Sequence, residues 1–272
     1  MVNGLPGKMG QIVAKTALER GLVLVPFSLT GEDVSAETTQ VGSQTIDLLK
    51  PSNREAAIAK ILADHPGVIA IDYTHPSAVN SNAEFYVRHR IPFVMGTTGG
   101  DRKALMDLVS TASLHCVIAP NMAKQIVAFQ AMMEFLGTNF PGVFSGYKLS
   151  VVESHQKTKA DTSGTAKAVV ATFREMGLPF DDSQIEMVRE EKQQLERMSV
   201  PAEALDGHAF HTYAVDSADG SVHFEFQHNV CGRRVYAEGT IDAAVYLAKT
   251  IFKGAEPRCH SMIDILRTGA MN

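Results

Sequence analysis

Short apolar runs alternate with helix-like patterns along residues 4–125 of the chain. The runs are typical of strands buried on both faces of a sheet, and the segments between them carry apolar residues three and four positions apart, as amphipathic helices do. The predicted strands are 22–27, 68–73, 92–95 and 115–118. The predicted helices are 11–20, 54–63, 77–89 and 101–112. This alternation predicts an α/β domain in which helices cover a doubly wound parallel sheet.

The pattern changes beyond residue 125, where strand-like segments alternate apolar and polar residues. Such alternation predicts a mixed or antiparallel sheet with one face open to water. The predicted strands are 149–153, 208–213, 222–228 and 235–240. The predicted helices are 125–138, 163–176, 241–253 and 261–268. The charged segment 184–204, including Arg189 to Arg197, is expected to be a solvated helix or loop. This half predicts a second, α+β domain.

The two patterns divide the chain into two domains. A final helix after such a sheet commonly packs on the first domain, so residues 1–123 and 240–272 are predicted to form a Rossmann-like dinucleotide-binding domain. Residues 124–239 are predicted to form a substrate-binding domain, with hinges near 121–124 and 239–241.

Composition argues against several classes of function. Basic residues number 25 and acidic residues 30, which gives a net charge of −5. Without a basic run, this balance argues against a nucleic-acid partner. No apolar stretch approaches the roughly 18 residues of a membrane span, so no membrane partner is expected. The glycine-rich motif begins at Asn3, and a strand normally precedes such a motif, but only Met1 and Val2 stand before it. We therefore expect that a targeting segment has been removed or that the front of the chain was trimmed.

The residue types that bind metals give no metal signature. The cysteines are widely spaced and are predicted to be reduced thiols that fill the core: Cys116, Cys231 and Cys259. Four histidines lie on or beside predicted strands without a clustered carboxylate or cysteine: His208, His211, His223 and His228. No metal is therefore expected. His75 is expected at the rim of a site, and Arg233 either supports a substrate loop or forms a structural salt bridge.

A glycine-rich loop at residues 3–10 marks a candidate dinucleotide site. Gly4, Gly7 and Gly10 recur every third residue and open the first helix. Glycine allows a tight turn and lets backbone N–H groups approach a pyrophosphate at the helix N-terminus. The spacing differs from the usual G-x-G-x-x-G, so the position of the loop at the head of the α/β pattern carries the prediction.

The end of the second predicted strand bears on the choice of cofactor. NAD enzymes usually place a carboxylate there against the ribose hydroxyl, about 20 residues beyond the loop. Residues 27–31 contain no carboxylate, and the first ones follow at Glu32 and Asp33. Ser28, Thr30 and Lys8 offer donors to a ribose phosphate. These features favour NADPH, with NADH left open.

Polar residues concentrate in the stretch 153–166, between a predicted strand and a predicted helix. His155 is suited to acid, base or hydrogen-bonding work near neutral pH, and Lys159 to donating a proton or holding a carboxylate. Ser163 to Thr165 open the helix and offer hydroxyl and backbone N–H groups to an anion. The stretch predicts a site for a small carboxylate substrate.

Five motifs in order make the chain similar to the dihydrodipicolinate (4-hydroxy-tetrahydrodipicolinate) reductase family. They are the G-x-x-G-x-M-G loop, DYTHP at 72–76, GTTG at 96–99, APN at 119–121, and the E-x-H-x-x-x-K…SGTA run that starts at Glu153. The segments ESHQ, DTSGTAKAV, GHAFH and FQHNVCGR resemble the plant-type form.

The resemblance implies reduction of a cyclic imine dicarboxylate by NAD(P)H, in the diaminopimelate route to lysine. Hydride adds at ring carbon 4, the hydroxyl leaves as water, and ring carbon 3 takes a proton. By resemblance, His155 is the catalytic histidine and Lys159 the proton donor. The implied cofactor-binding residues are Asn3, Gly4, Gly7, Lys8, Met9, Gly10, Ser28, Asp72, Thr74, Gly96, Thr98, Ala119 and Asn121. The implied substrate-binding residues are Thr98, Gln156, Lys159, Ser163, Gly164 and Thr165.

The family also implies assembly and location. The second domain would form a homo-oligomer, with a dimer favoured, and the plant-type likeness implies the plastid stroma, with a bacterial cytoplasm as the alternative. Two departures concern the bacterial pattern: Gln156 replaces a second histidine, and the loop before Ser163 is one residue shorter. Lys124 and Gln125 replace small residues at the hinge and could compensate.

Two other functions stay open from the sequence. One is a two-domain dehydrogenase for another imino or amino acid. The other is a nucleotide-sensing regulator without turnover, which would have no need of the proton donor Lys159.

Overall fold

The computed structural model describes residues 1–269. The chain separates into two compact units, one made of Met1–Lys124 with the residues from Arg234 onward, the other of Gln125–Arg233. Among residues 1–269, none of the helices combines the length and apolarity that crossing a bilayer requires.

The elements follow one another in three stretches. The first runs β1 (Val2–Asn3), α1 (Lys8–Glu19), β2 (Phe27–Leu29), β3 (Thr38–Val41), β4 (Gln44–Leu49), α2 (Pro51–Asp64), β5 (Ala70–Asp72), α3 (Val79–Arg88), β6 (Phe93–Met95), α4 (Arg102–Thr111) and β7 (Cys116–Ile118). The second runs α5 (Lys124–Asn139), β8 (Lys148–His155), α6 (Gly164–Glu175), β9 (Glu186–Val188), α7 (Glu191–Glu196), β10 (His208–Asp216) and β11 (His223–Cys231). The last runs α8 (Arg234–Phe252), β12 (Cys259–His260) and α9 (Met262–Arg267).

The first unit is built on a five-stranded sheet in the order β1-β5-β6-β7-β12. Every pair in it is parallel. Strands β5, β6 and β7 are buried along their whole length because helices cover the sheet, which explains their uninterrupted apolar sequences. The predicted Rossmann-like α/β class is confirmed.

A second, three-stranded sheet of this unit has the order β2-β4-β3. The strand predicted at 22–27 is displaced, because ladder pairing begins only at Phe27. Pro26 has no N–H to donate, and Val23 is 86% exposed, so the apolar run before Phe27 is not a buried strand. The hairpin of β3 and β4 was not predicted; its two-residue turn uses Gly42 at φ +61°.

Residues 235–240 form the start of helix α8, so the strand predicted there is wrong. Ala237, Thr240, Ile241 and Ala244 are buried and lie three or four positions apart, which is a helical face. Gly239 approaches the Met122 carbonyl so closely that a Cβ would clash with it. The six-residue window that suggested alternation was too short to show this longer period.

The second unit carries a four-stranded sheet in the order β11-β10-β8-β9. Strand β10 runs antiparallel to β8 and β11, and β9 runs parallel to β8, so the predicted mixed sheet is confirmed. One core joins the sheet to α6 through side chains including Val151, Val169, Phe173 and Tyr213. The sheet holds β8, which ends at His155, in register with the neighbouring strand β10.

The charged segment 184–204 is not simply solvated. It contains β9 and α7, and six of its side chains are buried: Ile185, Val188, Gln194, Met198, Val200 and Ala204. Val188, Met198, Val200 and Ala204 form a small cluster with Phe210 of β10. The alternation of charged and buried positions, rather than the charge itself, decides how this segment packs.

Candidate active site

The glycine loop between β1 and α1 has a shape that side chains would prevent. Gly4 lies at φ +96°, and a Cβ there would clash with the Tyr73 carbonyl oxygen. A Cβ on Gly7 would lie 2.7 Å from the Gly4 carbonyl oxygen, and one on Gly10 would lie 3.1 Å from it. Gly7 is the N-cap residue of α1 and has no side chain that could cap the helix, and Lys8, the first helix residue, is exposed. The N–H groups of Gly4, Leu5 and Gly7 are used inside the protein, so the first turn of α1, which starts at Lys8, is the part of this loop suited to a pyrophosphate.

Asn3 and Ser28, which were expected to contact the cofactor, use their side chains to hold the glycine loop in place. The buried Asn3 side chain accepts the Leu29 N–H at 2.9 Å and donates to the Tyr86 hydroxyl at 2.8 Å. Buried Ser28 accepts the Leu5 N–H at 3.3 Å through Oγ. The expectation that the Ser28 hydroxyl reaches a ribose phosphate is therefore corrected, because this hydroxyl faces the protein interior.

Asp72 organises the loops that follow β5 and β6. Its buried carboxylate accepts hydrogen bonds from the hydroxyls of Thr74 at 2.7 Å and Thr97 at 2.8 Å. Its other oxygen accepts from the Tyr86 hydroxyl at 2.6 Å and the Asn82 amide at 3.0 Å. Asp72 thus holds in place the loops that follow β5 and β6, and its contact with a cofactor stays a prediction. Tyr86 and Asn82 were missed, because nothing local marks a helix residue that reaches a distant strand end. Thr97 lies in the GTTG motif but was not singled out.

A pocket of about 270 Å³ lies over the ends of β6 and β7. Its lining includes Thr98, Ala119 and Gly99. Gly96 beside it is required, because a Cβ there would clash with the Tyr73 ring. The Tyr73 hydroxyl shares a 2.6 Å hydrogen bond with Thr240 and so fixes the ring. Of the residues implied for a nicotinamide pocket, Thr98 and Ala119 line this space.

The second unit assembles the stretch 153–163 around a buried ion pair. Glu153 has no exposed surface; its carboxylate accepts the Ser163 N–H at 2.9 Å and the Arg189 guanidinium at 2.7 Å. Arg189 also donates to the carbonyl oxygens of Lys159, at 2.9 Å, and Asp161, at 3.4 Å. The guanidinium therefore closes the loop between β8 and α6. Arg189 was expected to be solvated, and this expectation was wrong.

Lys159 lies in this closed loop. Its side chain is 21% exposed, and its Nζ donates to Asp161 Oδ1 at 2.7 Å. That hydrogen bond lowers the pKa of the Asp161 carboxyl below its usual range. The Lys159 N–H donates to the Gln156 carbonyl, which makes a turn. The ammonium is thus held at the surface of the loop by an exposed acid.

His155 ends β8 in a buried setting. Its Nε2 lies 3.0 Å from His211 Nε2 and 3.7 Å from Glu153 Oε2, and its carbonyl accepts from the Gln194 amide at 2.7 Å. Burial lowers the pKa of His155 to about 3, and the charges of Arg189 and Lys159 add to this effect. The imidazole is therefore neutral at physiological pH.

Glu153, His155 and His211 also form, among residues 1–269, a group whose ligand atoms lie within 4.8 Å of one another. Metal binding would compete with the hydrogen bonds that the Glu153 carboxylate already accepts from Arg189 and the Ser163 N–H. The nearby guanidinium and ammonium would also repel a cation. The chemistry of the donor set therefore does not favour a metal.

The remaining candidates separate by position. Ser163 is buried at the N-cap of α6, and Gly164 is exposed in its first turn. His75 is exposed and caps a short helical turn by accepting the Ser77 N–H. His223 is exposed and paired with Asp216, which raises its pKa. His208 bonds Ser154 at 2.7 Å behind β8. Arg233 lies over Gly207 within the second unit.

Comparison with known proteins agrees with both halves of this arrangement. Residues 1–122 match the family model "Dihydrodipicolinate reductase, N-terminus", and residues 126–266 match "Dihydrodipicolinate reductase, C-terminus". The chain is 50% identical over 271 residues to 4-hydroxy-tetrahydrodipicolinate reductase 1, chloroplastic, of Arabidopsis thaliana, covering 100% of this chain and 78% of the relative. It is 49% identical to a probable chloroplastic reductase 1 of Oryza sativa subsp. japonica, covering 100% and 79%.

A solved structure shows the same fold. The dipicolinate-bound dihydrodipicolinate reductase of Paenisporosarcina sp. TG-14 superposes with a TM-score of 0.65 at 19% identity, covering 96% of each chain. Together with the two family matches and the plant relatives, this shows that the chain belongs to the 4-hydroxy-tetrahydrodipicolinate (dihydrodipicolinate) reductase family of NAD(P)H-dependent oxidoreductases, in its plant-type form.

Proposed function

We propose that this enzyme reduces 4-hydroxy-tetrahydrodipicolinate to tetrahydrodipicolinate in lysine biosynthesis, using His155 and Lys159. The observation that carries the proposal is the loop 155–163, which the buried Glu153–Arg189 pair closes so that a neutral imidazole, an ammonium and a helix N-terminus share one short segment. A cyclic dicarboxylate needs this combination of groups. The relatives named as reductases support the same reaction.

The substrate carboxylates would be held at two places in this loop. The Ser163 N–H is used by Glu153, and we assign the Gly164 N–H, in the first turn of α6, to a carboxylate. Thr165 stays a prediction for substrate contact. The second carboxylate would displace Asp161 from the Lys159 ammonium, with the Gln156 amide as a neutral donor. Thr98 in the first unit stays a prediction for substrate contact.

The proposed chemistry is a dehydration followed by a reduction. The hydroxyl of ring carbon 4 leaves as water together with a hydrogen from carbon 3. When bound, the reduced nicotinamide supplies a hydride, which enters at carbon 4. Lys159 then donates its proton to carbon 3, so that hydride and proton together complete one reduction.

His155 takes a different role from the one expected of an imidazolium. Because its pKa is lowered to about 3, His155 acts as a neutral hydrogen-bond donor rather than as an acid in the ligand-free enzyme. A bound dicarboxylate brings negative charge and should raise this pKa. Because His155 is neutral in the ligand-free enzyme, Lys159 is the proton donor in this proposal.

The cofactor would be held by the glycine loop and by the pocket after β6 and β7. Gly4, Gly7 and Gly10 leave room for a pyrophosphate over α1, and Lys8 and Met9 lie in its first turn. Thr98 and Ala119 would face the nicotinamide, with Thr74 and Asn121 in the neighbouring loops. The residues of the first unit thus fit a dinucleotide.

The preference for NADPH stays a prediction. Ser28 and Thr30 are engaged with the glycine loop, and a Cβ on Gly31 would meet the Asp33 carboxylate. Lys8 is then the exposed cation left to meet a ribose phosphate. Comparing the Michaelis constants for NADPH and NADH tests this; a lower value for NADH would contradict the preference.

Location and assembly are proposed from the relatives and from one strand. The Arabidopsis and rice relatives are chloroplastic, which supports the plastid stroma for this enzyme. Strand β11 is the edge of its sheet, nine residues long, and leaves one row of backbone groups open to pairing. We expect a homodimer that uses the second unit, which light scattering would measure.

The test is a coupled assay. Dihydrodipicolinate synthase, pyruvate and aspartate semialdehyde generate the substrate, and NADPH oxidation is followed by near-ultraviolet absorbance. We expect synthase-dependent oxidation, and we expect Lys159→Ala to lower kcat by at least about a hundredfold while NADPH still binds. Lys157→Ala, a change to an exposed lysine of the same loop, is the control and should keep most of the activity.

Three outcomes would contradict the proposal. Folded enzyme that binds NADPH without synthase-dependent oxidation would indicate a nucleotide-sensing regulator. Oxidation driven by another imino or amino acid instead would indicate a different dehydrogenase. Full activity of Lys159→Ala would remove Lys159 from its role.

A further inference from the structure

Behind His155 lies a buried pair of residues that the proposed chemistry does not use. His211 is 1% exposed and lies on β10 directly opposite Glu153 of β8. Tyr213, two residues farther along β10, has no exposed surface and points to the same face of the sheet. Its hydroxyl lies 3.0 Å from His211 Nδ1, while His211 Nε2 lies 3.0 Å from His155 Nε2. The three side chains form one hydrogen-bonded line.

Such a line allows two arrangements of protons when both imidazoles are neutral. Burial keeps the pKa of His155 and of His211 below the ordinary value, so a single N–H lies between the two Nε2 atoms. Either His155 donates to His211, which then donates to Tyr213, or Tyr213 donates to His211, which then donates to His155. In the first arrangement His155 Nδ1 is an acceptor, and in the second it is a donor.

The Tyr213 hydroxyl decides between the two arrangements. Among residues 1–269 its one hydrogen-bond partner is His211 Nδ1. If His211 donated to it, the buried phenolic hydrogen would be left without an acceptor, at a cost of about 1–3 kcal/mol. The second arrangement satisfies this hydrogen.

The charged groups around His155 do not oppose this choice. Glu153 Oε2, at 3.7 Å from His155 Nε2, lies beyond hydrogen-bond distance and accepts the Ser163 N–H, while Arg189 donates to the other oxygen, Oε1. Arg189 and Lys159 disfavour a second proton on His155. His208 bonds Ser154, and His228 packs against the His211 ring with centroids 4.6 Å apart. The His208 backbone carbonyl also hydrogen-bonds the His155 ring and acts to raise the His155 pKa, against the larger effect of burial. Because Nε2 faces His211, this acceptor favours a hydrogen on Nδ1.

We propose that His211 and Tyr213 are positioning residues that fix the tautomer of His155, so that its Nδ1 carries the hydrogen and its Nε2 is an acceptor. Tyr213 donates to His211 Nδ1, and His211 Nε2–H donates to His155 Nε2. The catalytic consequence rests on the proposed reductase function.

The same line is unsuited to delivering a proton. Passing a proton from His155 to the substrate would draw one from His211 and then from Tyr213, leaving a phenolate inside the core. Burial and the nearby Glu153 carboxylate raise the pKa of the Tyr213 phenol far above its ordinary value, so this is unfavourable. The line therefore orients His155, and Lys159 keeps the role of proton donor.

The first experiment measures the tautomer directly. Nitrogen-15 NMR of imidazole-labelled enzyme at neutral pH, with His155 assigned by His155→Asn, should show Nδ1–H and a bare Nε2 at His155. Tyr213→Phe, which keeps the ring in the core, should shift His155 toward the Nε2–H form. Tyr147→Phe, the same change at a half-buried tyrosine of the same unit, should leave the spectrum unchanged. An Nε2–H tautomer in the wild-type enzyme would overturn the proposal.

The second experiment measures turnover. Tyr213→Phe should lower kcat about tenfold or more, as loss of a group that orients a functional histidine commonly does, with the KM for NADPH unchanged. His211→Gln keeps an amide donor toward His155 and should retain more activity than His211→Leu. Equal activity in the two His211 variants, or a Tyr213→Phe enzyme with wild-type kcat, would contradict the proposal.

The two proposals fail separately. The NMR result does not depend on turnover, so an inactive enzyme with the Nδ1–H tautomer would reject the reductase function alone. An active enzyme with the Nε2–H tautomer would reject the positioning role alone.

Discussion

Arg189→Ala removes the guanidinium that both neutralises Glu153 and closes the loop that carries Lys159. Glu153 is fully buried, and it would keep only the Ser163 N–H among the two donors that hold its carboxylate. Removing one partner of a buried ion pair costs about 3–5 kcal/mol, because the other charge stays buried without compensation. Arg189 is 18% exposed, so water can partly replace it, and we expect a loss of about 3 kcal/mol in the free energy of unfolding of this unit.

The assay should report on the second unit by itself. Amide hydrogen exchange in β8 and β10 measures the opening of this sheet, and urea unfolding followed by circular dichroism gives the corresponding midpoint. Arg197→Ala is the matched control, since Arg197 pairs with Glu186 in the same unit but is 47% exposed. An exposed pair contributes about 1 kcal/mol or less.

A double variant separates charge from packing. Arg189→Met with Glu153→Gln removes both charges while keeping much of the buried volume, so it should be more stable than Arg189→Met alone. The reasoning is refuted if Arg189→Ala costs no more than Arg197→Ala, or if the second change brings no recovery. Either result would mean that Glu153 does not depend on Arg189.

Two further predictions concern the cofactor pocket and acid stability. Gly96→Ala should weaken NADPH binding, measured by calorimetry, at least about tenfold, because the new Cβ collides with the Tyr73 ring. Gly220→Asn is the control in the other unit: no atom lies near a Cβ there, and asparagine tolerates the φ of +71°, so NADPH binding should be unchanged. Burial lowers the pKa of His228 to about 4 and that of His155 to about 3, below the unfolded value near 6.5, so the unfolded chain takes up protons first as the pH falls. Their contribution to stability is fully present above about pH 6.5 and is lost progressively toward pH 4, and each tenfold difference in proton affinity between the folded and unfolded chains corresponds to about 1.4 kcal/mol. His228→Phe should reduce the drop in urea midpoint between about pH 7 and pH 4.5, and an unchanged drop would contradict the assignment.

Patterns within short stretches of sequence predicted many of the helices and strands and the two segments that carry the candidate site residues. The three glycines of residues 4–10, and the run from Glu153 to Ala166, are contiguous segments whose chemistry is visible in the residues themselves. The buried strands β5, β6 and β7 and the helices between them follow from the hydrophobic period, because a covered parallel sheet demands it, whereas the hairpin of β3 and β4 did not follow from it. These are features that one short stretch of chain determines.

The supporting contacts could not be predicted in this way. Arg189 reaches Glu153 across 36 residues, His211 reaches His155 across 56, and Tyr86 reaches Asn3 across 83. Each is an ordinary polar or aromatic residue until the strands pair. For the same reason Ser28 and Asp72 were expected to face a ligand, whereas pairing turns them inward.

The central claim is that this enzyme transfers a hydride from NADPH to ring carbon 4 of 4-hydroxy-tetrahydrodipicolinate, the product of the synthase. Following a deuterium label from the cofactor into the product tests this claim most directly. NADPH carrying deuterium at the transferred position of the nicotinamide is supplied with dihydrodipicolinate synthase, pyruvate and aspartate semialdehyde, and the product is examined by mass spectrometry and NMR. We predict tetrahydrodipicolinate with one deuterium at ring carbon 4, formed by the wild-type enzyme and strongly reduced in Lys159→Ala. NADPH oxidation without deuterium at that carbon, or no oxidation by well-folded enzyme, would contradict the account.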